Sequence, residues 1–206
     1  MTQLLSIHPQ NPQRRLCVQA ADCLRDGGVL AYPTDSGYAL GCHLSDKASV
    51  DRIRRLRELD AKHNFTLMCR DLSELATYAR VDNVSFRVIK NYTPGPYTFV
   101  LDATREVPKR LMHPKRKTIG LRVPDNPIVQ MMLDELSEPM MSVTLILPGD
   151  TMPMLDAWEI RDAIGDRLDL IVDGGFCGME PTTVVDLTGE APELVRQGAG
   201  QWEDSA

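Results

Sequence analysis

Residues 32–38 read Tyr32-Pro33-Thr34-Asp35-Ser36-Gly37-Tyr38, and they directly follow a short apolar run at residues 29–31. The apolar run together with Tyr32 predicts a short buried strand, which Pro33 would end because proline cannot donate to a strand ladder. Polar residues at such a position are costly to bury without partners. Ligands of open α/β sheets bind beyond strand ends, so the segment predicts one edge of a polar cleft.

On both sides of this segment the chain alternates between helical and strand patterns. Helices are predicted from Asn11-Pro12 to Gly27-Gly28, from near Ser45, after Asp71, at residues 83–92, after Asn126-Pro127 and at residues 156–164. Strands are predicted at residues 29–32, 65–69, 97–101, 118–123, 140–147, 168–172, 183–186 and 193–196. Several of these strands lack a regular crossover helix, so the pattern predicts a single α/β domain with a mixed sheet.

Composition limits the class of protein. The chain has 206 residues, of which 43% are hydrophobic and 25% charged, as in an average globular domain. It shows neither a signal-peptide pattern nor an apolar run of about 20 residues, so we expect a cytoplasmic protein without a membrane partner. The five cysteines have no C-x-x-C spacing and the four histidines are scattered, which favours inert, buried thiols over a zinc site.

The charge pattern bears on nucleic-acid binding. A formal net charge of −6 argues against nucleic acid bound over the whole surface. Two basic clusters nevertheless occur. The first contains Arg52, Arg54, Arg55 and Arg57, and the second contains Arg105, Lys109, Arg110, Lys115, Arg116 and Lys117. Each cluster is interpreted either as a solvated face or as a local surface for RNA.

Five strands end abruptly in polar or glycine-proline segments. These segments are Pro33-Thr34-Asp35, Pro94-Gly95-Pro96-Tyr97-Thr98, Arg122-Val123-Pro124, Ser142-Val143-Thr144 and Thr182-Thr183. One such segment means little, because threonine is a common strand residue, but five in one chain predict a shared polar cleft. The phosphate loop, the H-E-x-x-H zinc motif and the G-x-S-x-G nucleophile elbow do not occur in the sequence.

The order of these segments resembles the YrdC-like family, which includes the threonylcarbamoyl-AMP synthases. The family pattern P-T-E/D-x-x-Y-x-L-G corresponds to residues 33–41, P-G-P-x-T to residues 94–98 and R-x-P to residues 122–124. S-T-V-V-D corresponds to residues 182–186, with threonine at the first position, and the terminal R-x-G corresponds to residues 196–198. The resemblance covers residues 14–200, which we take as the YrdC-like domain.

The resemblance implies a fold and a chemistry. The implied fold is a twisted mixed sheet with flanking helices and a concave basic cleft. The synthases of the family condense L-threonine, bicarbonate and ATP into threonylcarbamoyl-AMP and pyrophosphate with Mg²⁺, and the family is also linked to RNA. ATP and Mg²⁺ are therefore implied by the resemblance alone, and no tightly bound cofactor is expected. The expected partners are a nucleotide, an amino acid or both, and RNA.

The resemblance also assigns roles to individual side chains. It implies substrate-binding roles for Thr34, Tyr38, Arg122 and Thr182. It implies nucleotide-binding roles for Arg57, Thr98, Ser142, Thr144 and Arg196. Asp35 would either orient the neighbouring backbone or help to hold Mg²⁺. Core packing is the alternative for Tyr38, and an internal salt bridge is the alternative for Arg122.

Two departures from the family pattern concern the phosphate side of the cleft. Synthases carry a K-x-R pair where this chain has Arg57-Glu58-Leu59, so one cation is lost unless Lys62 or His63 replaces it. The family's S-A-N is Ser142-Val143-Thr144 here, and Leu145-Ile146-Leu147 is predicted to continue the strand in place of a glycine turn. Efficient synthase activity is therefore not expected.

Three functional hypotheses follow. The first is an enzyme that forms a carbamoyl-adenylate weakly or turns over a related nucleotide. The second is a module that binds RNA or a nucleotide in the same cleft without chemistry. The third is a protein that keeps the fold and acts only through protein partners.

Overall fold

A mixed sheet of ten strands occupies the centre of the computed structural model, which describes residues 2–60 and 63–203. The strands are β1 Gln3–Ser6, β2 Leu30–Thr34, β3 Gly37–His43, β4 Thr66–Met68, β5 Tyr97–Asp102, β6 Thr118–Arg122, β7 Met140–Thr144, β8 Leu170–Asp173, β9 Thr183–Asp186 and β10 Glu193–Arg196. The helices are α1 Arg14–Arg25, α2 Lys47–Arg57, α3 Leu72–Tyr78, α4 Asn83–Tyr92, α5 Pro127–Leu136 and α6 Ala157–Ile164, and α6 is followed by a 3-10 turn at Gly165–Arg167.

The strand order is β1-β8-β2-β3-β7-β4-β6-β5-β9-β10, and it combines both kinds of pairing. The pairs β1–β8, β2–β8, β4–β6 and β5–β9 are parallel, whereas β2–β3, β3–β7, β4–β7, β5–β6 and β9–β10 are antiparallel. The predicted α/β fold with a mixed sheet and flanking helices is confirmed. Strand β1 lies before residue 14, so the sheet begins ahead of the predicted domain boundary.

The segment at residues 30–43 is a hairpin that the sequence interpretation missed. Strand β2 does not stop at Pro33, which pairs with Tyr38 of the unpredicted strand β3. Proline is tolerated there because β8 pairs only with Leu30 and Ala31, which leaves Pro33 with a neighbouring strand on one side only. Gly37 has a φ of 122°, a conformation that favours glycine, and it lets the chain reverse.

Capping residues in the sequence predicted where several helices start, and one of these predicted starts is wrong. Asn126 caps α5 by accepting hydrogen bonds from the backbone amides of Ile128 and Val129, and Asp71 caps α3 in the same way. The predicted start of α1 at Asn11-Pro12 is wrong. The helix begins two residues later, at Arg14, with Gln13 at the capping position.

Strand β7 is also shorter than predicted, because it ends at Thr144 and does not continue to Leu147. The amide of Ile146 donates to the carbonyl oxygen of Thr144 at 3.1 Å, so a tight turn closes where the strand was expected to run on. The amide of Leu145 still donates to the carbonyl oxygen of Tyr38 in β3, at 2.9 Å.

The two faces of the sheet are covered to different extents. On one face α1 and α5 pack over β8, β2 and β3, in an apolar cluster that includes Leu24, Leu30 and Leu133. The opposite face carries the larger core, with α2, α3 and α4 contributing Ile53, Leu75 and Ile89. This cluster reaches Met68 of β4 and Met140 of β7, and the rest of the first face, over β7, β4, β6 and β5, is left open.

The described helices are all too short or too polar to cross a bilayer. Cys17, Cys42 and Cys69 are buried and free of disulfides, as predicted, whereas Cys23 and Cys177 are only partly buried. Burial raises the pKa of the Cys177 thiol to about 11, so this thiol stays protonated.

Candidate functional site

A cavity of about 590 Å³ lies over the open part of the first sheet face. This volume is within the range of small-molecule sites, roughly 300–1,000 Å³. All nine residues with predicted substrate or nucleotide roles line it. They are Thr34, Tyr38, Arg57, Thr98, Arg122, Ser142, Thr144, Thr182 and Arg196. The structure brings these side chains together, and their binding roles remain predictions.

Strand periodicity explains why the floor of this cavity is polar. Successive residues of a strand point to opposite faces, so alternate positions of β5, β6 and β7 share the open face. Small or polar residues occupy these positions, among them Thr98, Gly120 and Ser142. Thr66 of β4 pairs with both Gly120 and Ser142. A Cβ atom at Gly120 would lie 2.9 Å from the Thr66 hydroxyl, so glycine keeps the floor of the cavity open.

Thr34 is held by the hairpin turn. Its hydroxyl donates to the carbonyl oxygen of Gly37 at 2.7 Å and accepts from the amide of Ser36 at 3.1 Å. Ser36 lines the cavity next to it, and sequence reasoning missed this residue. These bonds fix the Thr34 hydroxyl at the wall of the cavity before any ligand arrives.

Arg122 reaches the cavity from the end of β6 and forms a buried ion pair with Asp35. It also donates to the Ser36 hydroxyl at 3.3 Å. The internal salt bridge considered for Arg122 is therefore present, although the residue still lines the cavity. Its Nε is buried and has no hydrogen-bond partner among the described residues, which is unusual for a buried donor.

Asp35 orients its surroundings and is poorly placed to hold a metal. One carboxylate oxygen pairs with Arg122, and the other accepts from the amide of Asp125 at 3.1 Å. Asp35 does not line the cavity. Over residues 2–60 and 63–203, no group of three or more histidine, cysteine, aspartate or glutamate side chains is arranged for a metal.

The opposite wall is formed by β5, β9 and β10. The hydroxyls of Thr98 and Thr182 are hydrogen-bonded to each other at 2.9 Å. Arg196 donates through Nη2 and Nε to the carbonyl oxygen of Thr182, at 2.8 and 3.2 Å. Burial lowers the pKa of Arg196 from its usual value, but an arginine keeps its charge in such a setting.

The helix end at Arg57 supplies the remaining cation of the site. Arg57 lines the cavity, and its Nε, like that of Arg122, is buried and has no hydrogen-bond partner in the described part of the chain. Leu59, at the position of the family's second cation, packs against the larger core. The Arg57-Glu58-Leu59 segment thus presents one cation to the cavity.

His63 was one of two residues considered as a replacement for the lost cation. It lines the cavity, but burial, and secondly the charge of Arg57, lowers its pKa below the usual 6.5. The imidazole is therefore neutral at pH 7 in the free protein. Lys62, the other residue considered, lies outside the described residues.

Tyr38, Ser142 and Thr144 differ in how firmly they are held. Tyr38 is fully buried and donates its hydroxyl to the carbonyl oxygen of Gly175 at 3.0 Å, so it packs in the core and lines the cavity at once. Ser142 is buried and accepts a hydrogen bond from Tyr32 at 2.6 Å. Thr144 is exposed at the end of β7.

Several members of the two basic clusters are engaged within the chain. Arg52 forms an ion pair with Asp169, and Arg116 forms one with Asp186. Arg54 donates to the carbonyl oxygen of Arg110 at 3.1 Å. These contacts support the interpretation of the clusters as structural or solvated faces. RNA binding and a predominantly basic cleft remain predictions.

Comparison with known proteins identifies the family and several relatives of this chain. The model of the Sua5/YciO/YrdC family, whose description is "Telomere recombination", matches residues 22–198. The chain is 58% identical over 200 residues to YciO of Escherichia coli K12, an uncharacterized protein, and the match spans 97% of both chains. The crystal structure of E. coli YciO superimposes with a TM-score of 0.94 at 57% identity, over 98% of each chain.

Of two more distant relatives, one is named as a synthase and the other was solved with a bound amino acid. A threonylcarbamoyl-AMP synthase of Vibrio vulnificus is 27% identical over 184 residues, which are 87% of this chain and 97% of that protein. The structure of P. abyssi Sua5 complexed with L-threonine has a TM-score of 0.88 at 24% identity, over 96% of this chain and 58% of that one. At this identity the second likeness concerns the fold.

Proposed function

The chain belongs to the Sua5/YciO/YrdC family, and from this premise we propose that its cavity binds an adenine nucleotide beside a small amino acid but holds a triphosphate weakly. Threonylcarbamoyl-AMP synthase activity would then be low. The same cavity would still act as a nucleotide-binding site.

The observation that carries the proposal is a pair of unsatisfied guanidinium donors in one cavity. The Nε atoms of Arg57 and Arg122 are buried without partners among the described residues, and both arginines line the cavity. Buried donors are nearly always hydrogen-bonded, so these two Nε atoms are available to donate to a ligand or a water molecule in the cavity. Anionic oxygens of phosphate or carboxylate are the acceptors that guanidinium groups bind most strongly.

The hydroxyls of Thr34, Thr98 and Thr182 support a polar ligand of amino-acid size beside the anion. Thr34 is held on one wall of the cavity, and the Thr98–Thr182 pair is held on the other. A named synthase among the relatives makes the product that joins these two kinds of ligand. Adenylation of a carbamate needs mainly positioning and charge neutralisation, and these walls would supply the positioning.

Weak binding of the triphosphate follows from the loss of positive charge on one side of the cavity. Leu59 packs into the core where the family pattern has an arginine, and His63 is neutral in the free protein. A hydrogen bond to a charged group is worth about 1.5–3 kcal/mol, so its loss costs about tenfold to a hundredfold in affinity. Both hypotheses that use the cleft, a weak enzyme and a binding module without chemistry, are compatible with this loss.

A matched pair of substitutions on α2 tests the site. Arg57→Gln removes the cation that lines the cavity, whereas Arg55→Gln removes an exposed arginine two residues earlier. We expect Arg57→Gln to weaken AMP binding, measured by calorimetry, about tenfold to a hundredfold. Arg55→Gln should leave the affinity unchanged.

The two outcomes that contradict the proposal are distinct. Equal losses in both variants would mean that AMP binds a general basic surface outside the cavity. Unchanged affinity in Arg57→Gln would remove the cavity from consideration. In the same samples, pyrophosphate release that requires both threonine and bicarbonate would separate the weak enzyme from the binding module.

A further inference from the structure

The hydroxyl of Tyr32 contacts Ser142, and Ser142 lines the cavity. We infer that Tyr32 is a positioning residue, an inference that rests on the proposed function. Its hydroxyl occupies an acceptor lone pair of Ser142 and so directs the serine proton toward an anionic oxygen of the ligand. Tyr32 does not line the cavity, and no family motif quoted above includes it.

The geometry of the pair is specific. The Tyr32 hydroxyl donates to the Ser142 Oγ at 2.6 Å. Tyr32 is fully buried and Ser142 is 3% exposed, so water does not compete freely for this bond. Within the described residues, Tyr32 is the one group to which the Ser142 side chain is hydrogen-bonded.

The sheet allows this contact through a glycine. Strand β3 lies between β2, which carries Tyr32, and β7, which carries Ser142. The β3 residue paired with Ser142 is Gly41. A Cβ atom at Gly41 would lie 2.8 Å from Cε1 of the Tyr32 ring, so the ring crosses β3 over a residue without a side chain.

The chemistry of the two hydroxyls gives the contact a direction. A serine hydroxyl has one proton to donate and two lone pairs to accept with. Burial raises the pKa of Tyr32 well above its usual value, so the phenol keeps the proton that it donates to Ser142. The serine proton is then available to the cavity, where an oriented donor stabilises a phosphate or carboxylate oxygen without reorganising.

A double-mutant cycle on AMP affinity tests this inference. Tyr32→Phe removes only the hydroxyl, and we expect it to weaken AMP binding about three- to tenfold, the worth of one typical hydrogen bond. Ser142→Ala should weaken binding at least as much. The double variant should bind no more weakly than Ser142→Ala alone, because Tyr32 acts through Ser142.

Tyr92→Phe is the matched control. It removes a tyrosine hydroxyl that donates to the carbonyl oxygen of Glu203 at 3.2 Å, away from the cavity, and it should leave AMP affinity unchanged. Urea unfolding of each variant separates destabilisation from altered binding. If Tyr32 contributes only to core packing, Tyr32→Phe will lower the free energy of unfolding. Its effect on AMP affinity will then be the same in the wild type and in Ser142→Ala.

Inorganic phosphate serves as a second probe, because it needs no nucleotide recognition. Additive losses for AMP would overturn the role of Tyr32 and leave the proposed function standing. If phosphate binds and shows the coupling while AMP does not bind, the nucleotide proposal fails and the positioning role stands. Failure of the wild-type protein to bind either probe would overturn both.

Discussion

His63 and Arg57 line the same cavity, and burial is the main cause of the lowered pKa of His63. Burial and the positive charges of Arg57 and Arg54 disfavour protonation of His63. The negative charge of Asp60 favours protonation, but its effect is smaller than that of burial. The pKa of His63 is therefore lower in the folded protein than the 6.5 of an unperturbed histidine. An unfolded chain takes up a proton near pH 6.5, and the folded chain takes it up only at a lower pH.

The sign of the resulting linkage is fixed by this difference. The contribution of His63 to stability is present above its unfolded pKa and is lost as the pH falls through that value toward the folded pKa. We expect His63→Gln to lose less stability than the wild type between about pH 7 and about pH 5.5, as measured by urea unfolding. Equal losses in the two proteins would show that His63 is not desolvated in the way described.

At the scale of residues, the sequence predicted which side chains meet, but not how they are paired. Motifs at strand ends are local signals, and they located Thr34, Arg122 and Arg196, which the fold brings to one cavity. The partners Ser36 and Tyr32 were missed because their roles depend on contacts made across strands. A single sequence does not show that Tyr32 reaches past β3 to a residue 110 positions away.

At the scale of elements, the β2–β3 hairpin depends on Gly41. A methyl group there would lie 2.8 Å from the Tyr32 ring and 3.5 Å from the Met140 sulfur, both of which are buried. We expect Gly41→Ala to destabilise the protein by about 1–3 kcal/mol, because overpacking displaces the ring. Urea unfolding measures this change directly.

Gly189→Ala is the matched control for Gly41→Ala. Its Cβ would have its nearest neighbour at an ordinary 3.5 Å, at an exposed turn, so a change of at most about 0.5 kcal/mol is expected. A Gly41→Ala protein as stable as the control would show that the Tyr32 ring does not need this glycine.

Helices and strands differed in how well the sequence predicted them. Helix α4 has the predicted bounds, Asn83–Tyr92, because capping and periodicity are local properties. Strand β3 was missed, because Gly37-Tyr38-Ala39-Leu40-Gly41 is glycine-flanked and does not alternate polar with apolar residues. Its strand conformation comes from pairing with β2 and β7. The end of β7 at Thr144 coincides with the tight turn between Thr144 and Ile146.

At the scale of the whole molecule, the cavity exists because one sheet face is only partly covered. Helices α1 and α5 pack over one part of that face, and the rest presents threonine, serine and glycine residues to the opening. The fold therefore accounts for a site in which hydroxyls are numerous and cations are few. This balance is the physical basis for expecting a nucleotide to be held without a strong contribution from its terminal phosphates.

The ratio of ATP affinity to AMP affinity, measured by calorimetry on the wild-type protein, tests this balance most directly. The account predicts dissociation constants for ATP and AMP within about tenfold of each other, that is, a difference below about 1.4 kcal/mol. ATP binding about a hundredfold or more tightly than AMP, accompanied by efficient pyrophosphate release that depends on threonine and bicarbonate, would contradict it.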